Sequence, residues 1–205
     1  MIANEKYSQL NAYYKRLMPG LTDDGWAFCE NKLSVRKMRK GALMVKEGEI
    51  CKNVSFINYG LIRMYHLVDG KEKIVEFCNE NNYMADYRSF LLQEPALTFL
   101  QALEDTEVVD TSFEGLQEIY QHVPEANFLG RRIAEELFID MCRRATSDAH
   151  ETIEERYNNL IDQQPWLLQR VPQYMIASYL GVTPQALSRI KRRIRTTAFQ
   201  LASVY

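Results

Sequence analysis

The sequence predicts an α+β chain in three parts: leading helices with a turn-rich array of short strands, then a long helix, then a C-terminal pair of helices joined by a tight turn. Three observations carry this. Short apolar runs separated by turn signals fill residues 35–111, the pattern of a β-sandwich or barrel. Helical spacing returns at Phe113 and holds through about residue 147. The stretch Val171–Ile194, VPQYMIASYLGVTPQALSRIKRRI, reads as two helices interrupted at Gly181. The boundaries that follow are 1–123, 124–147 and 148–205.

Tyr7, Leu10, Tyr13, Tyr14 and Leu17 recur at helical spacing until Pro19-Gly20 closes the segment, so a helix leads the chain. A second short helical pattern runs from Thr22 to Leu33 with Trp26 and Phe28 on it. The strands are expected at Ala42–Val45, Val54–Ile57, Leu61–Val68, Ile74–Phe77, Phe99–Leu103 and Glu107–Val109. Lys40-Gly41, Glu47-Gly48, Asn58-Tyr59-Gly60 and Asp69-Gly70 punctuate them, and the last of these predicts a two-residue hairpin. Leu116, Ile119 and Tyr120 begin the return to helix. After Pro124, Gly130, Ala134, Leu137, Met141 and Ala145 approximate a coiled-coil seam suited to close pairing with a second copy or with the barrel. Asp148–Glu151 is polar enough for a hinge, and Thr152 with Glu155 fits a capping box opening a helix toward Pro165.

The C-terminal stretch holds the most specific chemistry. Pro172 suits a first helical turn, and Ile176, Ala177 and Leu180 share an inward face before Gly181 ends the helix. Val182 is the apolar plug between the two helices. Thr183 as N-cap and Pro184 as first helical residue fix the start of a second helix of about three turns. On it Leu187, Ile190 and Ile194 face inward, whereas Gln185, Ser188, Arg189 and Arg192 share the outer face. Arginine can donate two parallel hydrogen bonds to guanine, glutamine can bridge adenine, and serine can reach a base or a phosphate. Lys191, Arg193 and Arg195 flank that face and suit phosphates.

Charge is distributed to match. The formal net charge of −2 hides an asymmetry: residues 165–205 hold six basic side chains and no acidic one, leaving 19 basic and 27 acidic residues to the first 164. An acidic body with one basic end fits a polyanion contacted at that end. At 46% hydrophobic residues a sizeable core is available. No apolar run of about 18 residues predicts a membrane span and no signal-peptide core opens the chain, so the cytoplasm is the expected location. Cys29, Cys51, Cys78 and Cys142 are scattered without a CxxC pair, which argues for reduced thiols and against zinc or iron–sulfur ligation. His66 with Cys78 as haem ligands is weaker than the reading of both as ordinary strand residues. No metal, cofactor or catalytic residue is expected, because neither G-x-S-x-G, a P-loop nor HExxH occurs.

The order of parts resembles the Crp/Fnr family of bacterial transcription regulators, and most its Bacteroidetes-type branch, over nearly the whole chain. The residues that carry the likeness are KEGE at Lys46–Glu49, FINYGLIR at Phe56–Arg63, DGKE at Asp69–Glu72, ALEDTEV at Ala102–Val108 and IASYLGVTPQALSRI at Ile176–Ile190. The resemblance implies a double-stranded β-helix of jelly-roll type, the cyclic-nucleotide-binding fold, as an effector-sensing domain. It implies a dimerisation helix at 124–147 and a helix-turn-helix for double-stranded DNA at 148–205. Thr183, Pro184, Gln185, Ser188, Arg189, Lys191, Arg192 and Arg193 become the DNA-binding residues, with Pro184, Gln185, Ser188 and Arg189 at the bases. The partners implied are a second copy, duplex DNA as an inverted repeat, an unidentified small-molecule effector and RNA polymerase.

Two departures from the family pattern matter. Cyclic-nucleotide-binding members hold ribose with a Gly-Glu pair and the cyclic phosphate with an Arg-Ser pair. Here Ala85-Asp86 and Ala96-Leu97 stand at those places, giving a degenerate effector cassette of Asp86, Arg88, Ala96 and Leu97. A buried phosphate without its charged partner loses on the order of a thousandfold in affinity, so useful cyclic AMP binding is not expected. Arg88 and Arg63 are the nearest substitute cations, both expected at the surface. Second, Thr196–Tyr205 is too short for the strand, turn and strand of a wing, which is therefore expected to be shortened or absent. The alternative to a regulator is a ligand-binding or protein-interaction module whose truncated C-terminal domain no longer reads sequence. Tyr59, Tyr65, Phe77, Tyr83, Tyr87, Phe90 and Phe99 are either barrel core or the lining of a pocket for an apolar or planar ligand.

Overall fold

The computed structural model describes residues 5–202. The chain divides into two compact units, one of Met1–Leu67 with Val75–Glu136 and the other of Val68–Ile74 with Leu137–Tyr205.

In the first unit a 3-10 turn, Glu5–Tyr7, leads into α1 (Ser8–Leu17), and α2 (Asp23–Glu30) follows. Thr22 caps α2 by accepting the Gly25 N–H at 3.0 Å. The helical pattern expected through Leu33 stops at Glu30, because Leu33 opens β1 (Leu33–Met38) and pairs with Thr111. Ladder hydrogen bonds override local spacing there. The remaining strands are β2 (Leu43–Val45), β3 (Asn53–Tyr59), β4 (Ile62–Val68), β5 (Lys71–Cys78), β6 (Tyr83–Met84), β7 (Phe99–Ala102) and β8 (Thr106–Ser112). They form two four-stranded sheets, ordered β1-β8-β3-β6 and β2-β7-β4-β5, a roll of eight strands. The short β6 and the helix after it, α3 (Tyr87–Leu92), carry no alternation long enough to read from sequence.

Strand alternation separates two cores. Ile57, Ile62, Met84, Leu100 and Val108 point into the roll with Phe90 of α3. Phe56 and Val109, one residue out of phase, face the other side of the first sheet and pack with Leu10, Tyr14, Trp26 and Ile119. Between strands, Asp110 accepts both Arg36 Nε (2.7 Å) and Nη2 (3.0 Å) and the Ser55 hydroxyl, so its buried carboxylate is fully occupied. The Asp69-Gly70 hairpin forms as expected, with φ of 51° and 73°, the positive pair that a type I′ turn requires. At Gly60, φ is +105° and a Cβ would lie 2.7 Å from Thr106 Cα, so no other residue fits without displacing backbone.

Ser112 caps α4 (Phe113–His122), and α5 (Pro124–His150) follows with 27 residues, about 40 Å of helix. Its first turns bury Ala126 and Leu129 against the first unit's core. Most of the polar stretch Asp148–Glu151, expected as a hinge, is helical. The helix runs on to His150 and breaks only before Thr152, where the expected capping box with Glu155 opens α6 (Ile153–Gln163). Polar composition alone does not end a helix; a competing cap does. Backbone and hydroxyl hydrogen bonds from Thr152 hold the Glu155 carboxyl below the ordinary glutamate range.

In the second unit α7 (Leu167–Arg170), α8 (Gln173–Tyr179) and α9 (Pro184–Ala202) complete the chain. Its buried apolar residues include Tyr157, Leu160, Leu167, Met175, Ile176, Ala177, Leu180 and Leu187. Within the same unit the Ser178 hydroxyl accepts the Ile74 N–H at 3.1 Å and donates to the Glu72 carbonyl at 3.0 Å. No described helix is long and apolar enough to cross a membrane.

Candidate nucleic-acid interface

The turn between α8 and α9 is fixed at both ends by backbone chemistry. Gly181 adopts φ +72°, the Val182 N–H reaches the Ala177 carbonyl at 2.9 Å, and the Gly181 N–H reaches the Ser178 carbonyl at 3.1 Å. This is a Schellman motif, which stops α8 and turns the chain within two residues. Thr183 then caps α9: its hydroxyl accepts the Ala186 N–H at 3.2 Å and its carbonyl the Leu187 N–H at 3.0 Å. Arg156 of α6 adds a tie by donating to the Leu180 carbonyl at 3.2 Å.

That register buries Leu187, at 1% exposure, and half-buries Ile190 and Ile194. Thr183, Pro184, Gln185, Ser188, Arg189, Arg192 and Arg193 are exposed and Lys191 is half-buried. Among the described residues nothing pairs with the Arg189 guanidinium. Arg193 differs, because both its Nε and Nη2 meet the Glu154 carboxylate of α6. Sequence reasoning missed that pair, since nothing local marks two residues 39 apart as neighbours. The helix of about three turns expected here is instead a single helix of 19 residues that continues through Thr196–Ala202. No strand follows it among the described residues, and Ser203–Tyr205 of the segment discussed for a wing lie outside them.

The effector cassette lies in the first unit. Asp86 is buried and spends its carboxylate on the fold: Oδ1 accepts the Ser89 N–H at 3.0 Å as the α3 N-cap, and Oδ2 accepts the Leu97 N–H at 3.2 Å and the Thr98 hydroxyl at 2.7 Å. Asp just before Tyr87–Leu92 was the one local sign of this cap, without the Glu or Gln three residues later that would strengthen it. The structure thus joins Asp86 to Leu97, yet Ala96 is buried, Leu97 is exposed, and neither has a group that could bind phosphate through its side chain. Arg88 is exposed, as expected, and pairs with Glu94 at 2.5 Å. Arg63 is not exposed as expected. It is 5% exposed, its Nε and Nη2 both donate to Gln101 Oε1 (3.0 and 2.7 Å), and its guanidinium lies 4.3 Å from the Tyr65 ring centroid. Since Ile62 and Met64 face into the roll, strand alternation puts Arg63 on the opposite face, where stacking and the amide offset its burial.

His66 is half-buried with Nδ1 2.8 Å from the Leu97 carbonyl, and Cys78 is buried in the roll, its thiol pushed well up by burial. No cluster of three or more metal-ligating side chains occurs among the described residues.

Comparison with known proteins bears on the fold. The family described as cyclic nucleotide-binding domain matches residues 35–123. Among solved structures, FixK2 from Bradyrhizobium japonicum superposes with a TM-score of 0.66 at 20% identity, covering 81% of this chain and 86% of that one. The c-di-GMP responsive global regulator CLP of Xanthomonas campestris gives 0.66 at 14% identity, covering 86% and 93%. A CooA variant from Carboxydothermus hydrogenoformans gives 0.65 at 17% identity, covering 82% and 78%. No curated protein sequence matches the chain. A cyclic nucleotide-binding domain of eight strands at residues 35–123, carried with C-terminal helices in the fold of the Crp/Fnr regulators, is what this chain shares with known proteins.

Proposed function

We propose that the protein is a sequence-specific DNA-binding transcription regulator whose α9 enters the major groove. The observation that carries this reading is the outer face of α9, where Gln185, Ser188, Arg189 and Arg192 stand exposed on a helix whose start is held by Thr183 and the Gly181 turn. Gln185, Ser188 and Arg189 are the base readers, with Pro184 beside them. Thr183, Lys191 and Arg192 meet phosphates, and Arg193 does so after leaving Glu154.

The working form is a homodimer on an inverted repeat, its two α9 helices about one turn of DNA, ~34 Å, apart. Support comes from α5, where Ala134, Leu137, Phe138, Met141 and Ala145 recur at heptad spacing and are all exposed, Met141 to 69%. The roll acts as a sensor for a ligand other than cyclic AMP: Asp86 is committed to the fold, and Ala96, Leu97 and the outward Arg63 leave the cyclic phosphate without a partner. RNA polymerase is the further partner, the site of action is the cytoplasm, and the activity is binding rather than catalysis.

A salt series tests the reading. Anisotropy titration of a mixed-sequence duplex should give an affinity that falls linearly with salt on logarithmic axes, and Arg192→Ala should lower that slope by about 1. Absence of duplex binding even at low salt would leave α9 as a docking surface for protein.

A further inference from the structure

A cavity of about 50 Å³ lies in the first unit, on the face of the β1-β8-β3-β6 sheet turned away from the roll interior. Val54 and Thr111, paired across β3 and β8, form its floor. Helix α4 supplies Leu116, Ile119 and Tyr120, and α5 supplies Ala126, Leu129, Gly130 and Ile133 around the rest. From the cassette of Asp86 to Thr98 only Tyr87 reaches it, whereas Phe90 and Ala96 of that segment pack inside the roll.

Tyr14 and Tyr83 also line it, and their hydroxyls are 3.1 Å apart. Two hydroxyls bring two protons, and one hydrogen bond uses one of them. The other has no acceptor among the described residues, although Tyr14 is only 5% exposed and a buried polar group without a partner is costly. Burial pushes the pKa of both phenols well up from the ordinary tyrosine range, so both remain donors at neutral pH. The wall opposite is shaped for the space. A Cβ at Gly130 would lie 2.3 Å from the Tyr120 hydroxyl, so a helix-interior glycine lets Tyr120 lie across α5 at the cavity edge.

From this geometry we infer that the cavity is a binding site for a small, neutral, mainly apolar molecule whose buried end is a hydrogen-bond acceptor, a short-chain or small-ring carbonyl compound. Size sets the upper limit: one water needs roughly 10–15 Å³ of such space, so about four non-hydrogen atoms are enclosed and a small ring must leave one edge at the mouth. Walls of aliphatic and phenolic side chains exclude ions, since no cation or carboxylate lines the cavity. The leftover tyrosine proton selects carbonyl oxygen over ammonium. The site stands independently of DNA recognition by α9.

The test uses the full chain with methyl-labelled Val, Leu and Ile, titrated into the millimolar range with cyclopentanone and, separately, with cyclopentylamine, the same ring carrying a cation at neutral pH. Cyclopentanone should shift the methyls of Val54, Leu116, Ile119 and Ile133 saturably, and the amine should bind at least about tenfold more weakly. Tyr14→Phe with Tyr83→Phe removes both hydroxyls without orphaning either and should weaken cyclopentanone on the order of fivefold. Ala126→Leu should abolish binding by filling the space; Ile133→Phe, at a half-buried position, repeats the test if the first variant does not fold. No saturable shift in the folded parent, equal binding of ketone and amine, or full binding by a folded space-filling variant would each overturn the inference.

Discussion

Asp86→Ala separates a structural carboxylate from one held in reserve for a ligand. Three donors end on Asp86, from Ser89 N–H, Leu97 N–H and the Thr98 hydroxyl. Losing the N-cap of α3 costs about 1 kcal/mol. The Thr98 hydroxyl, on a buried residue, loses its partner at a cost of about 1–3 kcal/mol, whereas water can replace the carboxylate at the exposed Leu97. A net loss of ~3 kcal/mol follows, or roughly 9–15 °C in the melting midpoint for a unit of this size. Asp86→Asn keeps one acceptor oxygen and should lose about half as much. Urea unfolding of the first unit reads this directly when Trp166→Phe leaves Trp26, in that unit's core, as the one remaining tryptophan. An Asp86→Ala variant within about 1 kcal/mol of its parent would refute the reasoning and return Asp86 to the role of a ligand-binding group.

Gly60→Ala and Gly48→Ala should differ. Both residues have positive φ, but a Cβ at Gly48 meets open space and one at Gly60 meets Thr106 backbone, so the first should cost ~1 kcal/mol and the second at least ~2 kcal/mol more by the same unfolding assay. Thiol alkylation at pH 8 should modify Cys142 first, since it is exposed. Cys29, pushed up to about 11 by burial, and the buried Cys51 and Cys78 should label only after unfolding, as mass spectrometry would show. Met141→Glu puts a charge on the exposed α5 stripe; sedimentation equilibrium should find a dimer in the parent and a monomer in the variant.

Much of the fold was legible because it is written in local rules. The Asp69-Gly70 turn, the Thr152–Glu155 capping box, the Gly181 stop and the Thr183 cap each need only a few neighbouring residues, and each stands where the sequence put it. What was illegible depends on partners distant in the chain. Arg63 looked like a surface residue until Gln101 and Tyr65 accounted for its burial, and Leu33 looked helical until Thr111 claimed it for a sheet. Asp86 was visible as an acid, but its three donors became apparent only with the 86–98 segment folded. For α9 the positions of the outer face could be read from period alone, while the Glu154 partner of Arg193 could not. Tyr83 and Tyr87 were read as core or pocket, and they line the cavity outside the roll, whereas Phe90 packs inside it.

Selection of bound fragments from a random duplex pool at near-physiological salt, run in parallel on the parent and on Arg189→Ala, tests most directly whether α9 reads sequence. One inverted-repeat motif is expected for the parent, its half-sites about 10 base pairs apart, and a motif relaxed at one base pair per half-site for the variant, with a loss of ~1–3 kcal/mol. Identical motifs and affinities for both proteins would contradict the place given to Arg189. Recovery of duplex without any motif from the parent would contradict base reading by α9 altogether.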